Sequence, residues 1–467
     1  MSTTGEAAGT TAAPATAGTR GLAGVLTVVV LGSVMCVLDV TIVNVAMHPL
    51  AVAFGTPVAE VQWVATGYTL ALGAVIPAAA WAMDHFGAKR AYLTATVLFA
   101  AASALASLAW NIETLVLFRV LQGLGGGLLI PVGTAIVVRS ADRERMGRAM
   151  APLGIPVLIG PVSGPVLGGW LIDTATWHWI FLINVPLGAA AFVLGLRLLP
   201  GDRPQAARRL DVPGLLTLSP GLALLIYGLS TGGEHGDFTA PGALLPAAAG
   251  LLLTAAFTVR TLTAPHPLLR LRLFRERTFA AALATLVLFP CGYFGSMLLT
   301  PMYYQTVRGL SATQAGLLGM PLAVAVGVTM QIATRRVDRV SPRRMVLCGI
   351  AVAVLGLSLF AAVLGPATPY WRLCAAMAVM GVGVGMVLMP VNTTATRGLA
   401  PQDVPSGTTL VNIVSQVGIS IGTALMSVLL TAEGGDAGAF RHTYWWAVAL
   451  LALAAVPACR LPSRVRG

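Results

Sequence analysis

The sequence predicts an all-α integral membrane protein with fourteen spans and both termini in the cytoplasm. Hydrophobic residues make up 57% of the 467 residues, charged residues only 10%, and the mean hydropathy is +0.83. Apolar runs near the ~20 residues that cross a bilayer recur along the whole chain. Lys and Arg collect in alternate connections between these runs, which is typical of cytoplasmic loops.

The fourteen predicted spans are apolar runs separated by connections that contain Gly, Pro or charged residues. They cover residues 21–47, 60–83, 91–110, 113–138, 148–171, 179–199, 212–230, 241–260, 278–300, 312–334, 345–364, 372–392, 407–431 and 443–459. Each is near the length that crosses the hydrocarbon core. The connections between them are too short to fold as soluble domains.

The distribution of basic residues indicates the orientation of the spans. With the termini inside, all 29 Lys and Arg residues except Arg119, Arg308, Arg372 and Arg441 lie in or at the edges of cytoplasmic segments. The net charge of +12 is therefore explained by membrane topology, and it does not indicate binding of nucleic acid.

The chain contains an internal repeat that indicates two halves. The segment from Asp84 to Arg90, after span two, matches the segment from Asp338 to Arg344, after span ten, in the placing of an acid and a double base. Two six-helix bundles separated by two extra helices explain this offset, and parallel repeats of this kind are found in one large class of transporters. The predicted segments are a disordered cytoplasmic tail (1–20), a first six-helix bundle (21–199), a basic linker with two extra spans (200–277), a second six-helix bundle (278–460) and a cytoplasmic tail (461–467).

Two charged residues lie deep inside predicted spans. Asp39 lies in span one, which runs outward, and Arg119 lies in span four, which runs inward. At ~1.5 Å per residue they lie ~12 Å and ~9 Å below the outer ends of their helices, so they can meet at one depth. A charge at the bilayer centre costs at least ~2.5 kcal/mol, so this pair is a functional candidate. The structural alternative is that Asp39 only neutralises Arg119, or that carbonyls satisfy Arg119.

The remaining polar residues give no indication of an enzyme or a metal site. The five cysteines lie in or beside apolar spans without metal-ligand spacing, and the six histidines lie at loops or helix ends. The chain has no buried nucleophile, acid and base together, no phosphate-binding loop and no sensor domain, which argues against a lipid-modifying enzyme or a receptor. No cofactor and no metal are expected.

Five motifs in order resemble the fourteen-helix drug:proton antiporter branch of the major facilitator superfamily. They are the segment around Asp39 from Leu38 to Ala46, the segment from Asp84 to Arg90, the segment from Arg119 to Gly123, the segment from Gly160 to Gly169, and the segment from Trp177 to Gly188. The resemblance covers nearly the whole chain after residue 20. It implies two six-helix bundles with two inserted central helices, and it implies that Asp39 and Arg119 couple transport to protons.

The span-five motif is similar to the antiporter signature GxxxGPxxGG of this family. Small residues four apart let two helices approach closely, and prolines free backbone carbonyls within the span. The alternative is ordinary tight helix packing. A gating role is expected for Gly160, Gly164, Pro165, Gly168 and Gly169.

The motif after span two implies a latch at the cytoplasmic side. Asp84, Lys89 and Arg90, with Asp338 in the second half, are expected to make charge-assisted contacts that hold this side closed. His85 and Ala80 depart from the family pattern, which has Arg and Gly at these positions. The alternative is that the basic residues only set topology.

A large apolar substrate needs aromatic and polarisable walls with a few polar groups. The candidate substrate-binding residues are Asn44, Gln122, Phe289, Tyr293, Phe294, Met297, Gln331, Asn412 and Gln416. Packing is the alternative role for each of them.

The sequence thus predicts a secondary exporter that exchanges protons for small lipophilic, drug-like molecules by alternating access. The expected location is the inner membrane of a bacterium, among membrane lipids and as a monomer. The alternative on the same fold is a proton symporter or a uniporter of a small metabolite, against which the span-five motif argues.

Overall fold

The chain is described by a computed structural model that covers residues 19–56, 58–142, 146–201, 211–235, 238–264, 267–310, 312–336, 339–434 and 436–463. It gives the backbone alone at residues 19–20, 44–45, 48, 58–59, 62, 157–159, 161–162, 165–166, 173, 230, 233–235, 312–313 and 334. These ranges are helical throughout apart from their connections, and they contain no β-strand.

The first half consists of helices joined by short connections. Its helices are α1 (Thr19–Phe54), α2 (Val58–Val75), α3 (Ala78–Phe86), α4 (Ala88–Ser107), α5 (Ile112–Ser140), α6 (Met146–Met150), α7 (Ile155–Thr174), α8 (Trp179–Leu182) and α9 (Asn184–Leu198). A 3₁₀ turn, Ala151–Gly154, joins α6 to α7.

Two further helices and then the second half follow. These helices are α10 (Val212–His235), α11 (Pro241–Thr263), α12 (Arg277–Thr306), α13 (Ala312–Arg336), α14 (Pro342–Val363), α15 (Tyr370–Gly385), α16 (Leu388–Arg397), α17 (Val404–Ala432), α18 (Ala437–Leu453) and α19 (Ala455–Ala458). A second 3₁₀ turn, Leu271–Arg275, precedes α12.

Breaks near a proline interrupt several of the predicted spans. In the second span, α2 and α3 meet at a bend of 57°, because Pro77 has no N–H for the carbonyl of Gly73. In the sixth span, α8 and α9 are separated at Ile183, and Pro186 cannot donate to the carbonyl of Leu182. The twelfth span is broken in a similar way between α15 and α16, and Pro390 follows the break. The sequence predicts spans at these places but not their breaks.

The described residues contain 12 helices that are long and apolar enough to cross a membrane, and 13 when the bent pair α2 and α3 is counted as one span. The short α7 has 20 residues, which is also the length that crosses a bilayer. The protein is therefore a multi-pass membrane protein. The count of fourteen spans and the side of the termini stay predictions.

Labelling of single cysteines tests this topology. In a variant without native cysteines, Arg275→Cys should be protected from an impermeant thiol reagent in intact cells, whereas Glu433→Cys should react. The reason is that basic connections stay in the cytoplasm. Both sites lie outside the membrane spans in this structure. Strong labelling at residue 275 in intact cells, without permeabilisation, would contradict the predicted orientation.

The two added helices lie at one seam between the halves. α10 and α11 pack against each other, and α10 also packs against α2 of the first half and α17 of the second. The rings of Trp63 on α2 and Tyr227 on α10 stack with their centroids 5.8 Å apart. The inserted pair therefore covers the seam formed by α2 and α17.

The halves are held together at one end of the bundle, which we call the basic end. It carries the α3–α4, α5–α6 and α13–α14 connections, with Lys89, Arg139 and Arg335. There α3 contacts α17, α6 contacts α13 and α16, and the 3₁₀ turn before α7 contacts α13. At the other end, α1, α2, α5 and α8 have an apolar core of their own that includes Leu38 and Phe181. The described contacts between the halves thus close the basic end.

Candidate functional site: a buried ion pair in the first half

Asp39 of α1 and Arg119 of α5 form a buried ion pair. The Nη1 atom of Arg119 lies 2.5 Å from Oδ2 of Asp39, and the two side chains are 1% and 0% exposed. The depth estimate from the sequence predicted that they could meet, and the structure brings them together. Asn111 caps the start of α5 by accepting a hydrogen bond from the Thr114 backbone at 2.9 Å, which fixes the helix about two turns before Arg119.

Arg119 is satisfied by more than the carboxylate. Its Nε donates to the backbone carbonyl of Val64 on α2 at 3.1 Å, and Nη1 also donates to Oε1 of Gln122 at 2.8 Å. Its guanidinium lies over the ring of Tyr68, 4.2 Å from the centroid. A buried charge is tolerated when it is paired and hydrogen-bonded, so α2 and α5 together supply the environment that this cation needs.

Asp39 is held by amides as well as by Arg119. Its Oδ1 accepts hydrogen bonds from Nε2 of Gln122 and from Nδ2 of Asn184, both at 2.8 Å. Oγ of Ser103 on α4 accepts from the same two amide groups, each at 3.1 Å, and donates to the carbonyl of Phe181 at 2.9 Å. All of these side chains are buried. The carboxylate is therefore fixed by residues from α5 and α9, and Ser103 on α4 holds the two amides in place.

The sequence missed Asn184, Ser103 and Tyr68 as parts of this site. Asn184 lies in the motif that enters span six. Burying a neutral amide costs much less free energy than burying a charge, so this residue was not a candidate from the sequence. The helix break at Ile183 makes Asn184 the first residue of α9 and points its amide at Asp39. Pro186, two residues after Asn184, was the feature of the sequence that could have indicated a helix break here.

Gln122 lies within this network and is fully buried. Its amide nitrogen is used by Asp39 and Ser103, and its oxygen is used by Arg119. The structure thus gives Gln122 three protein partners, and its predicted contact with substrate stays a prediction.

The glycines of α7 lie against α1, close to Asp39. A Cβ atom added to Gly164 would overlap Oγ1 of Thr41, and one added to Gly160 would overlap Val37. A Cβ on Gly168 would lie 3.2 Å from Cγ2 of Ile42. Helices α1 and α7 therefore approach each other closely along this face.

The last glycine of the motif differs from the other three. A Cβ on Gly169 would meet no atom within 4 Å. Pro165 lies in α7, where the structure describes its backbone alone.

The predicted latch residues lie at the basic end. Asp84 is half-buried near the end of α3, and Arg90 is exposed in the first turn of α4. Lys89 donates to the carbonyls of Leu196 and Leu199 at 2.7 and 2.8 Å, so it holds the end of α9 in its own half. Asp338 lies outside the described residues.

A direct hydrogen bond between the halves also lies at the basic end. Nε2 of Gln331 on α13 donates to the carbonyl of Ala151 at 2.8 Å. Next to it, a Cβ on Gly154 would overlap the methyl group of Met330. Gln331, predicted as a substrate contact, thus joins the 3₁₀ turn before α7 to α13.

The other predicted substrate residues lie on α1, α12 and α17. On α12, Phe289 and Tyr293 are buried, Phe294 and Met297 are half-buried, and the rings of Tyr293 and Phe294 are 4.8 Å apart. On α17, Asn412 donates to the carbonyl of Thr408 at 2.8 Å, and Gln416 is half-buried. The side chain of Asn44 is outside the described part of α1. These positions are compatible with packing and with substrate contact.

The described residues contain no group of three or more His, Cys, Asp and Glu side chains that could hold a metal ion. The cysteines at 36, 291, 348, 374 and 459 are free thiols.

The comparisons with known proteins agree with this architecture. The family model of the Major Facilitator Superfamily matches residues 29–423 and 332–465. The multidrug resistance protein B homolog of Mycobacterium tuberculosis (strain ATCC 25618 / H37Rv) is 44% identical over 408 residues, which cover 87% of this chain and 76% of that protein.

Solved structures share the fold at low sequence identity. The crystal structure of the human organic anion transporter MFSD10 (TETRAN) has a TM-score of 0.66 at 15% identity, with 94% of this chain and 99% of that chain covered. The proton:xylose symporter XylE, bound to 6-bromo-6-deoxy-D-glucose, has a TM-score of 0.67 at 14% identity, with 94% and 95% covered. At these identities the likeness concerns the fold alone. The chain belongs to the Major Facilitator Superfamily, and it is a multi-pass membrane transporter related to bacterial multidrug resistance proteins.

Proposed function

We propose that this transporter is a proton-coupled antiporter that exports hydrophobic, drug-like molecules from the cytoplasm by alternating access. The observation that carries the proposal is the ion pair of Asp39 and Arg119, which is fully buried between α1 and α5. A buried charged pair of this kind is costly to keep and marks an ion pathway more often than a structural element. The names of bacterial relatives support drug-like substrates.

The proton step follows from the partners of Asp39. In the charged form, its two oxygens accept from Arg119, Gln122 and Asn184. A proton that arrives from outside removes the charge and with it the attraction to Arg119, so the arrangement of α1 and α5 is no longer favoured. A membrane potential favours inward proton movement, since one charge across ~100 mV is worth ~2.3 kcal/mol.

The change at Asp39 can reach the basic end through α1 and α7. Val37 and Thr41, each two residues from Asp39, contact the glycine face of α7. The 3₁₀ turn that leads into α7 is joined to α13 by Ala151 and Gln331. A displacement of α1 therefore acts on the closure between the halves. We place gating on Gly160, Gly164, Pro165, Gly168, Gly169, Asp84, Lys89, Arg90 and Asp338.

The substrate is expected to bind between the halves, against apolar and aromatic side chains with a few amides. The residues proposed for this surface are Asn44, Gln122, Phe289, Tyr293, Phe294, Met297, Gln331, Asn412 and Gln416. A cationic or neutral lipophile fits a cavity that contains one carboxylate, and Arg119 could receive an anion when Asp39 is protonated. The rest of the proposal is a monomer in a bacterial inner membrane, with lipids as neighbours and both termini inside.

Transport in inverted membrane vesicles tests the function. Vesicles that contain the protein and are acidified inside should accumulate at least one of three lipophilic probes of different charge: ethidium, chloramphenicol or nalidixic acid. Accumulation should be lost when a protonophore collapses the gradient, because the proton supplies the driving force. Vesicles without the protein are the control.

The direction of movement separates the proposal from its alternatives. A symporter would move the probe out of acidified vesicles, and a uniporter would not respond to the gradient. Failure of all three probes to accumulate, with correctly inserted protein, would count against an exporter of drug-like molecules.

A further inference from the structure

Asn184 has an amide oxygen that no group satisfies. Its side chain is fully buried, and Oδ1 has no hydrogen-bond partner among the described residues. An unpaired buried acceptor costs about 1–3 kcal/mol, so it calls for an explanation. The other end of the same amide is fully used, because Nδ2 donates to Asp39 at 2.8 Å and to Ser103 at 3.1 Å.

The orientation of this amide follows from its partners. Ser103 donates its hydroxyl hydrogen to the carbonyl of Phe181, so Oγ of Ser103 is an acceptor toward the amides. A charged Asp39 is also only an acceptor. The atom of Asn184 that faces both must therefore be the nitrogen, which leaves Oδ1 on the unpaired side.

A protonated Asp39 would not fit this arrangement. A proton on Oδ1 would face the N–H groups of Gln122 and Asn184, and a proton on Oδ2 would face the N–H groups of Arg119. All three partners are donors, so the new O–H group would have no acceptor. If the helices stay as they are, the new O–H group gains an acceptor only when the amide of Gln122 or of Asn184 turns.

Asn184 is the partner that can turn at the lowest cost. Rotation of the Gln122 amide would point its NH₂ group at Arg119, which is a donor. Rotation of the Asn184 amide exchanges one unpaired group, the oxygen, for another, the NH₂ group, and brings Oδ1 to the carboxyl. The terminal torsion of Asn is broad and roughly two-fold, so both orientations are accessible. The Ser103 hydroxyl can rotate to donate to the turned oxygen when it gives up its hydrogen bond to the carbonyl of Phe181.

Among the described residues, the other ionisable groups near Asp39 are Arg119 on α5, the thiol of Cys36 on α1 and the phenol of Tyr68 on α2. Arg119 is a donor only, and the Tyr68 hydroxyl has no described hydrogen bond to Asp39. Tyr68 packs its ring under the guanidinium of Arg119. The residues of α4 and α9 that contact Asp39 or its amide partners, Ser103 and Asn184, carry no charge.

We propose that Asn184 is a positioning residue that reads the protonation state of Asp39: its amide donates to the charged carboxylate and turns to accept from the protonated carboxyl. This inference rests on the proposed proton coupling through Asp39. It adds that the turn occurs at the first residue of α9, directly after the break in the sixth span, so protonation also changes the contact of α9 with α1 and α4.

Infrared difference spectra between low and high pH test this role in the purified full-length protein in liposomes. On protonation, the amide carbonyl band of Asn184 should move to lower frequency, because Oδ1 gains a hydrogen bond. The band should be lost in Asn184→Leu, and in Asp39→Asn it should no longer respond to pH. Asn392→Leu is the matched control, since Asn392 is a partly buried asparagine of α16 in the other half, and it should keep the band.

The outcomes separate this inference from the proposed function. If the carboxylic acid band of Asp39 titrates and no asparagine band responds, Asn184 is a fixed donor and the inference is wrong, while proton binding at Asp39 stands. If no band of Asp39 titrates in the wild type, both are overturned. Asn184→Ser serves as a second variant in case Asn184→Leu does not fold, because it also lacks the amide carbonyl.

Discussion

Replacement of Asp39 by Asn is expected to reduce export driven by a pH gradient to the level of empty liposomes. The substitution nearly preserves the shape of the side chain, but an amide cannot take up and release a proton. Asp39 is 0% exposed, and its carboxylate forms an ion pair with the guanidinium of Arg119. Binding of a neutral probe should be retained, since the change does not alter the apolar surfaces proposed for the substrate.

The measurement is uptake of a transported probe into proteoliposomes under an imposed pH gradient, with binding measured separately. Glu113→Gln is the matched control, because it makes the same carboxylate-to-amide change at an exposed position on the helix that carries Arg119. It should transport at the wild-type rate. Gradient-driven export at the full rate by Asp39→Asn would exclude Asp39 as the obligatory proton carrier.

A double variant addresses the structural alternative for the same pair. Asp39→Asn leaves Arg119 buried without its counter-charge, and loss of one partner of a buried pair costs ~3–5 kcal/mol. Asp39→Asn combined with Arg119→Gln removes both charges, so stability should recover in part while transport stays lost. Recovery of transport in the double variant would show that Asp39 only neutralises Arg119.

The second large effect is expected from Gly164→Leu on α7. Even a Cβ atom at this position would overlap Thr41 on α1, so a leucine must separate the two helices. Overpacking of this kind costs ~1–3 kcal/mol and would fall on the helix pair that connects Asp39 to the closure at the basic end. Transport should be lost, whereas binding of the probe should be largely kept.

Gly316→Leu on α13 is the control, because it makes the same change at an exposed glycine outside the proposed gating residues. A Cβ at Gly316 meets no atom within 4 Å, so this variant should fold and transport close to the wild type. Both variants are compared by expression, thermal stability and transport rate in liposomes. The close contact of α1 and α7 is not needed for transport if Gly164→Leu expresses well and exports at the wild-type rate.

Lys89 is an example of a residue whose position a motif predicts but whose contacts it does not. The sequence predicts that it lies on the cytoplasmic side, and the motif implies contact with the other half; both stay predictions. In the structure it donates to two carbonyls near the end of α9 in its own half. A lysine side chain is long and flexible, so the neighbour that it reaches depends on how the helices pack. Similarly, the sequence could not show that the amide of Gln331 donates to Ala151 in the other half, and its predicted contact with substrate stays a prediction.

By itself the sequence determined the helical membrane class, the repeated halves, and the candidate pair of Asp39 and Arg119. The reason is the large free-energy cost of placing polar or charged groups in hydrocarbon. Because of this cost, membrane spans are apolar runs of nearly fixed length, and a charged residue within one stands out in the sequence. The tertiary structure decided the breaks beside Pro77 and Pro186, the close contact of α1 with the glycines of α7, and the part of Asn184 in the site. A single neutral amide in an apolar run is no sign of a site, because the sequence does not show whether its donors and its acceptor are satisfied. Only the folded arrangement shows that the amide oxygen of Asn184 is unpaired beside Asp39.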